Sequence, residues 1–363
     1  MAPGAPGSLV GNETMPAPVR SLRSSAVREF LATEAAGGAV LVVAAGAALV
    51  WANSPWPSSY DDVWHTELPL LDLRHWVNDG LMALFFFVVG VEVKRELVVG
   101  ELSTRRRATL PVVAAAGGMA VPAAIYAAFN AGGPGASGWG VPMATDIAFA
   151  VGVLALFGSR IPSGLKVFLL SLAIADDIGA VAVIALFYAG GVHPTLVAVV
   201  LGLLVPVRFA ERLERRIHPV TSFFVLPLFA LANAGVRLDA GALDAPGATR
   251  VAGGVVVALV VGKTVGIALA ARAAVAMRVG ELPEGVSWTH VVGVGALAGI
   301  GFTVSLFVAE LAFDTEGLRA AAKIGIIVAS VAASAVGALV LRAAQPAADD
   351  PALADAGPSL PAS

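Results

Sequence analysis

The sequence predicts an all-α polytopic membrane protein with about ten transmembrane helices, on three observations. Hydrophobic residues make up 58% of the 363 positions and charged residues only 13%. Soluble domains sit near about 45–50% and about 25%, so lipid must be the solvent for most of this chain. Apolar stretches near the ~20 residues needed to cross a bilayer recur from end to end. Basic residues gather on one side of those stretches, as the positive-inside rule requires.

The stretches fall at 37–52, 77–93, 108–130, 140–157, 167–188, 195–207, 220–236, 251–276, 288–311 and 320–342. The sixth is short for a full crossing. Turn signals separate them, among them Asn53-Ser54-Pro55, Gly132-Gly133-Pro134 and Gly190-Gly191. With the N-terminus placed in the cytoplasm, 17 Lys and Arg fall inside and 4 outside, with Lys263 and Lys323 left in spans. Residues 22–36 mix Arg28, Glu29 and Glu34 with Phe30 and Leu31 and predict a short interfacial helix. Residues 1–20 and 343–363 are rich in Pro, Gly and Ala and predict disordered tails. No signal peptide is evident. The transmembrane domain is then 21–342.

Two stretches are interrupted. The segment 140–157 carries Pro142 and then Thr145-Asp146, and 288–311 carries Gly293, Gly295, Gly299 and Gly301. Each is the middle member of a three-span group, 108–188 and 251–342, and the groups start on opposite sides by the charge distribution. The sequence therefore predicts two inverted three-helix repeats, with 37–93 and 195–236 as helices between them. Interrupted segments at matching places in inverted halves point to a transport site, because unwound backbone at that depth is tolerated only around a protein-lined or wet cavity.

Asp176 and Asp177 lie at the middle of 167–188. An ionisable group at the bilayer centre costs about 2.5–3.5 kcal/mol on insertion scales, so an adjacent pair needs a function unless the span is misplaced and they cap a loop. Neighbours on a helix point about 100° apart, so the two carboxylates need not share a role. A carboxylate held there takes either a proton or a cation. Asp146 reads as a cap for the second half-helix, accepting a free N–H. Lys263 is about twelve residues, roughly 18 Å, from either end of its span, too deep to snorkel. It needs an anion, with Asp146, Asp176 and Asp177 as candidates, and a purely structural ion pair is the plainer alternative. Lys323, nearer a span end, is expected to snorkel. Glu92, Lys94, Arg95 and Glu96 follow the second span, and Glu214, Arg215, Arg216 and His218 precede the seventh. They form either ordinary charged loops or an ion funnel with a pH-sensing histidine. His193 falls in an outer turn. His65, His75 and His290 read as loop or interface residues. No zinc-type spacing, hydrolase triad or phosphate loop stands out. The absence of Cys excludes disulfides and thiolate sites, and a net charge of -3 gives no reason for a nucleic-acid partner.

Four motifs carry a resemblance. Val89-Gly-Val-Glu-Val-Lys-Arg-Glu-Leu97, Ala144-Thr-Asp-Ile-Ala-Phe-Ala150, Leu172-Ala-Ile-Ala-Asp-Asp-Ile-Gly179 and Gly299-Ile-Gly-Phe-Thr-Val-Ser305 resemble those of NhaA-type sodium/proton antiporters, in order, from about Glu29 to Arg342. The resemblance implies crossing discontinuous helices and electrogenic exchange of entering protons for leaving Na⁺ or Li⁺, switched on at alkaline pH. It implies that Asp177 is the essential ion-binding carboxylate with Asp176 its partner, and that Thr145 and Asp146 sit where the broken helices cross. It implies that Lys263 pairs with the ion-site aspartates. Glu92, Arg95, Glu96 and Glu214 then form a cytoplasmic pH-response cluster, to which the residue reading adds His218, with His193 also linked to pH dependence. A homodimer in the bacterial inner membrane, both termini cytoplasmic, is implied, with no cofactor beyond the transported ions. Two departures stand out. About two spans expected after Tyr188 are absent, an even number that preserves later orientations, and Thr264 stands where a proline is expected. A sodium-coupled symporter of an organic anion and a non-transporting relative impaired by the lost spans are the competing readings.

Overall fold

The computed structural model describes residues 17–69, 71–187, 193–238 and 241–344. Residues 1–16 and 345–363 lie outside these, and Ala343, expected to open the C-terminal tail, still belongs to the last helix. The described residues form twelve helices and no strand. Helix α1 (Ala17–Ala52) is continuous, so no separate interfacial helix occupies 22–36, and residues 17–20 belong to α1 rather than to a tail. No proline interrupts the chain between Pro18 and Pro55, and nothing else ends the first helix early. A short helix α2 (Pro57–Trp64) lies in the following connection.

Helix α3 is made of Leu73–His75, a π-helical turn Trp76–Leu81 and Met82–Val98. Glu92, Lys94, Arg95 and Glu96 therefore sit on its last turns and not in a loop. Next come α4 (Arg105–Asn130), a 3₁₀ segment Ala136–Met143, three extended residues, α5 (Ile147–Ala155) and α6 (Ser163–Phe187). Tyr188 and the Gly190-Gly191 turn lie outside the described residues. Helix α7 (Pro194–Leu204) has 11 residues, about 16 Å, roughly half of the ~30 Å hydrocarbon core. The expected span 195–207 is thus cut short. Pro206 ends it, holding Val205 extended at φ -60°, ψ 126°.

Helix α8 runs through Val207–Val220, a π turn Thr221–Val225 and Leu226–Asn233. Its first half carries Arg208, Arg212, Glu214, Arg215 and His218; its second half is apolar. The seventh stretch therefore begins inside a longer helix. Helix α9 repeats the device, with Ala248–Val257, a π turn Ala258–Gly262 and Lys263–Ala276. Helices α10 (Trp288–Leu297) and α11 (Phe302–Ala312) meet at 48°, and α12 (Glu316–Ala343) closes the bundle. Among the described residues six segments are long and apolar enough to cross a membrane, seven if α10 and α11 count as one broken span. This is a multi-pass membrane fold.

Ion pairs and hydrogen bonds fix which ends share a face. Arg106 at the start of α4 pairs with Glu281 beyond the end of α9 at 2.9 Å, and Arg95 on α3 pairs with Glu214 on α8 at 3.1 Å. These mark a basic face. On the opposite face, Arg237 pairs with Asp61 at 2.7 Å and Ser137 Oγ donates to the Ala312 carbonyl at 2.7 Å. Helices α4 and α9 therefore run antiparallel, and each opens a three-member group whose middle member is broken.

The half-length α7 is held against α3 by close backbone approach. A Cβ on Gly90 would lie 2.5 Å from the Val199 carbonyl oxygen, and one on Gly202 would lie 2.3 Å from that of Phe87. Small residues permit such approach between membrane helices. Gly90→Val or Gly202→Val should destabilise the protein by about 1–3 kcal/mol, the usual cost of overpacking. Thermal unfolding in detergent should show a lowered midpoint for either variant. An unchanged midpoint in both would contradict this packing.

Candidate functional site

The two chain breaks meet at the centre of the bundle. The Asp146 amide donates to the Ile300 carbonyl at 2.6 Å, and Thr145 lies 2.9 Å from the Ala298 carbonyl. Gly299 permits this meeting, since a Cβ there would stand 2.4 Å from the Leu259 carbonyl in the π turn of α9. Asp146 caps two helices at once. Its Oδ1 accepts from the Phe149 amide of α5 at 3.0 Å, and its Oδ2 accepts from the amide and hydroxyl of Thr303 on α11 at 3.1 and 2.7 Å. Each helix N-terminus carries about half a positive charge, which one carboxylate answers. The capping role expected from sequence is what the geometry gives, and it extends to a second helix.

Lys263 follows the π turn directly and is fully buried. Of its three candidate partners it takes Asp176. The ammonium contacts Asp176 Oδ2 and donates to Thr145 Oγ1 at 3.0 Å. The Thr145 hydroxyl lies 2.5 Å from the same carboxylate oxygen. Thr145 has one hydrogen to give, so it donates either to Asp176 or to the Ala298 carbonyl while accepting from Lys263. Asp176 Oδ1 is buried without a partner. Thr264 Oγ1 donates to the Val260 carbonyl within the π turn at 2.7 Å. The hydroxyl thus satisfies backbone where a proline would have removed an N–H donor.

Asp177 turns a different way. Among the described residues its carboxylate has no hydrogen-bond or ion-pair partner, and it lines a small, partly open cavity. Asp146 and Thr303 share the deep end of that cavity, and Glu34, Glu92 and His218 line it toward the basic face. Asp176 is not in the lining. The two adjacent aspartates thus divide, one into the cavity and one onto the lysine.

The charged groups near the basic face form a linked cluster. Arg95 bridges Glu96 at 3.0 Å and Glu214 at 3.1 Å, and Glu96 accepts the Glu101 amide at 3.0 Å. Glu92 sits above them, buried, with Oε1 unpartnered. His218 meets Glu34 at 2.6 Å, and Ser222 Oγ lies 3.2 Å from Glu34 Oε1. Burial disfavours the charged form of Glu214 and leaves its pKa raised despite Arg95. Burial pushes His218 down, but the Glu34 contact and the nearby Glu92 and Glu214 outweigh it, and its pKa is raised.

His193 is not brought into this cluster. It caps α7 on the opposite face, with Nδ1 2.8 Å from Thr195 Oγ1 and Nε2 3.5 Å from Asp79. Lys323 does not snorkel. It is buried and pairs with Glu310 at 2.5 Å. His65 follows the end of α2, whereas His75 and His290 lie in the first turns of α3 and α10, His290 buried, and not in loops. Sequence reading missed Glu34, Thr303, Glu310 and Asp79 as members of polar clusters. Thr303 was visible inside the fourth motif, and Glu310 stood as an acid within an apolar stretch.

Broken helices meeting over a buried acid–lysine pair, with a free carboxylate in a cavity beside it, define a polytopic membrane protein built around a central ionisable site. The sequence profile described as Na+/H+ antiporter 1 matches residues 28–190 and 189–341. The chain belongs to that family. It is 41% identical to Na(+)/H(+) antiporter NhaA 3 of Frankia alni, over 87% of this chain and 88% of the relative. It is 45% identical to NhaA of Acidovorax sp., over 84% and 88%, and 41% identical to NhaA of Vibrio alginolyticus, over 88% and 98%. The last alignment runs over 376 residues yet covers 88% of 363 residues here, about 320. The surplus, about 55 positions, is the length of two spans at about 20 residues each with their loops. The profile breaks at 189–190, where the two missing spans were expected.

Removing one partner of a buried pair leaves a bare charge and costs about 3–5 kcal/mol. Asp176→Asn and Lys263→Met should each lower the thermal midpoint sharply, and the double variant should be more stable than Lys263→Met alone. Additive losses in the double variant would mean the two groups are not coupled.

Proposed function

We propose that the chain exchanges Na⁺ or Li⁺ for protons across a bacterial inner membrane, with the basic face and both termini in the cytoplasm. The distribution of 17 basic residues against 4 supports that orientation. The observation that carries the reading is Asp177, an unpartnered buried carboxylate lining a cavity next to the Asp176–Lys263 pair. A carboxylate so placed must hold a proton or a cation. Carboxylate and hydroxyl oxygens suit a small hard cation, and Asp177, Asp146 and Thr303 offer both around one cavity.

The two aspartates give the exchange its charge imbalance. An arriving Na⁺ displaces the proton of Asp177. If it also draws Asp176 away from Lys263, the ammonium loses its counterion in a buried site and releases a second proton. Two protons against one sodium ion makes the cycle electrogenic. An organic-anion symporter is disfavoured by the lining, where Glu34, Glu92, Asp146 and Asp177 face the cavity against one histidine.

Protein in vesicles carrying a pH gradient should dissipate it on addition of Na⁺ or Li⁺ and much less with K⁺. Asp177→Asn should abolish the response. A wild-type protein silent at every pH would favour the impaired-relative reading.

Alkaline activation follows from the His218–Glu34 tie between α8 and α1. A raised histidine pKa gives a contact that is fully present below about 6.5 and lost as pH rises through the raised value. Glu34→Gln removes the main cause of the raised value, so the pH profile of exchange should move toward acid. A profile that stays put or moves to higher pH would remove His218 from the pH response.

A further inference from the structure

Helix α11 carries one carboxylate, largely buried, that the exchange chemistry does not use. Glu310 is 11% exposed, pairs with Lys323 on α12 at 2.5 Å and lies 3.4 Å from Arg319 at the start of α12. Arg319 also donates to the Phe313 carbonyl at 3.1 Å, just past the end of α11. Three groups thus bind the outer end of α11 to α12.

Thr303, Phe307 and Glu310 stand at i, i+4 and i+7, on one face of α11. Thr303 touches Asp146 at the ion site. Phe307 is the hub of an aromatic cluster, with ring centroids 5.4 Å from Phe86 on α3, 6.3 Å from Phe229 on α8 and 6.4 Å from His193 before α7. The cavity includes Thr303 and Val304 but not Phe307. The rings meet on α11 between Thr303 at the cavity and the outer end of the helix, and Glu310 lies one turn beyond them.

We infer that Glu310 and Lys323 are positioning residues that hold α11 so that Phe307 seals the outward path, and that this pair must part for the site to open outward. The inference rests on the transporter reading above. The physical cause is desolvation. Lys323 is 8% exposed, and without Glu310 its charge is stabilised only where it reaches water. Loss of the carboxylate should therefore favour conformations in which the outer end of α11 swings away from α12.

The chain has no cysteine, so a single reporter can be read without background. Ser305, 0% exposed, lies between Thr303 and Phe307 in sequence and donates to the Val141 carbonyl at 2.7 Å. Ser305→Cys is treated with a membrane-impermeant thiol reagent in right-side-out and in inverted vesicles. Adding Glu310→Gln should speed labelling from the outer side about tenfold, a population shift of about one decade, and slow it from the inner side. Glu310→Asp, which keeps the charge on a shorter stem, should give a smaller shift in the same direction. Exchanging the charges, Glu310→Lys with Lys323→Glu, should return labelling toward the slow outer rate. Equal rates with and without Glu310→Gln would overturn the inference, as would faster labelling from both sides, which marks general loosening. Labelling needs no ion exchange, so a chain that fails to exchange Na⁺ yet shows the two-sided shift retains the latch and loses only the transport reading.

Discussion

Asp146 holds together two chain breaks that would otherwise leave unpaired N–H groups in the middle of a bilayer. An unsatisfied backbone group costs several kcal/mol there, and two half-helices beginning at one depth multiply that cost. A single carboxylate accepting from both α5 and α11 offsets the donors and balances the two dipole ends. The same knot supplies the Thr145 hydroxyl, which reaches the Asp176–Lys263 pair. Capping and the buried ion pair therefore share one connected set of atoms. Opening the breaks disturbs the lysine, and protonating the aspartates disturbs the breaks.

Among the described residues three π-helical turns lie where the polar clusters are. Trp76–Leu81 contains Asp79, which faces His193; Thr221–Val225 contains Ser222, which faces Glu34; and Ala258–Gly262 ends against Lys263. A π turn adds a residue and rotates the remainder of the helix relative to its first part, and such turns concentrate at functional sites. In α9 the turn also leaves the Leu259 carbonyl against Gly299, where a side chain would not fit. Each turn thus lies beside a polar contact between helices.

That rotation explains part of what the sequence hid. Long apolar stretches and buried charges are legible because their transfer costs are large and local. The ends of α4, α6 and α12 and the depth of Asp176 and Lys263 follow from this alone. The partner of Lys263 was not legible, because three aspartates lay at similar depth and only the packing across the breaks separates them. Glu34 was hidden by a wrong boundary. Read as part of an interfacial helix, it had no reason to meet His218; on a continuous α1 it enters the cavity. Lys323 looked like an isolated charge near a span end, and the adjacent helix supplied Glu310, which had drawn no reading, as its partner.

The absence of two spans after α6 leaves the central polar contacts in place for a geometric reason. The buried contacts of Asp146, Asp176 and Lys263 are drawn from α5, α6, α9 and α11, and the basic cluster from α1, α3 and α8, so neither depends on a residue from the missing pair. Every helix after the gap must still run in its former direction. The Arg95–Glu214 ion pair requires it, since α3 precedes the gap and α8 follows it. Had an odd number of spans been lost, Glu214 would lie about 30 Å away across the hydrocarbon core, and Arg95 would be buried against Glu96 alone. The 3.1 Å contact between them is therefore the physical reason a chain shortened at this point can keep both halves of its site in register.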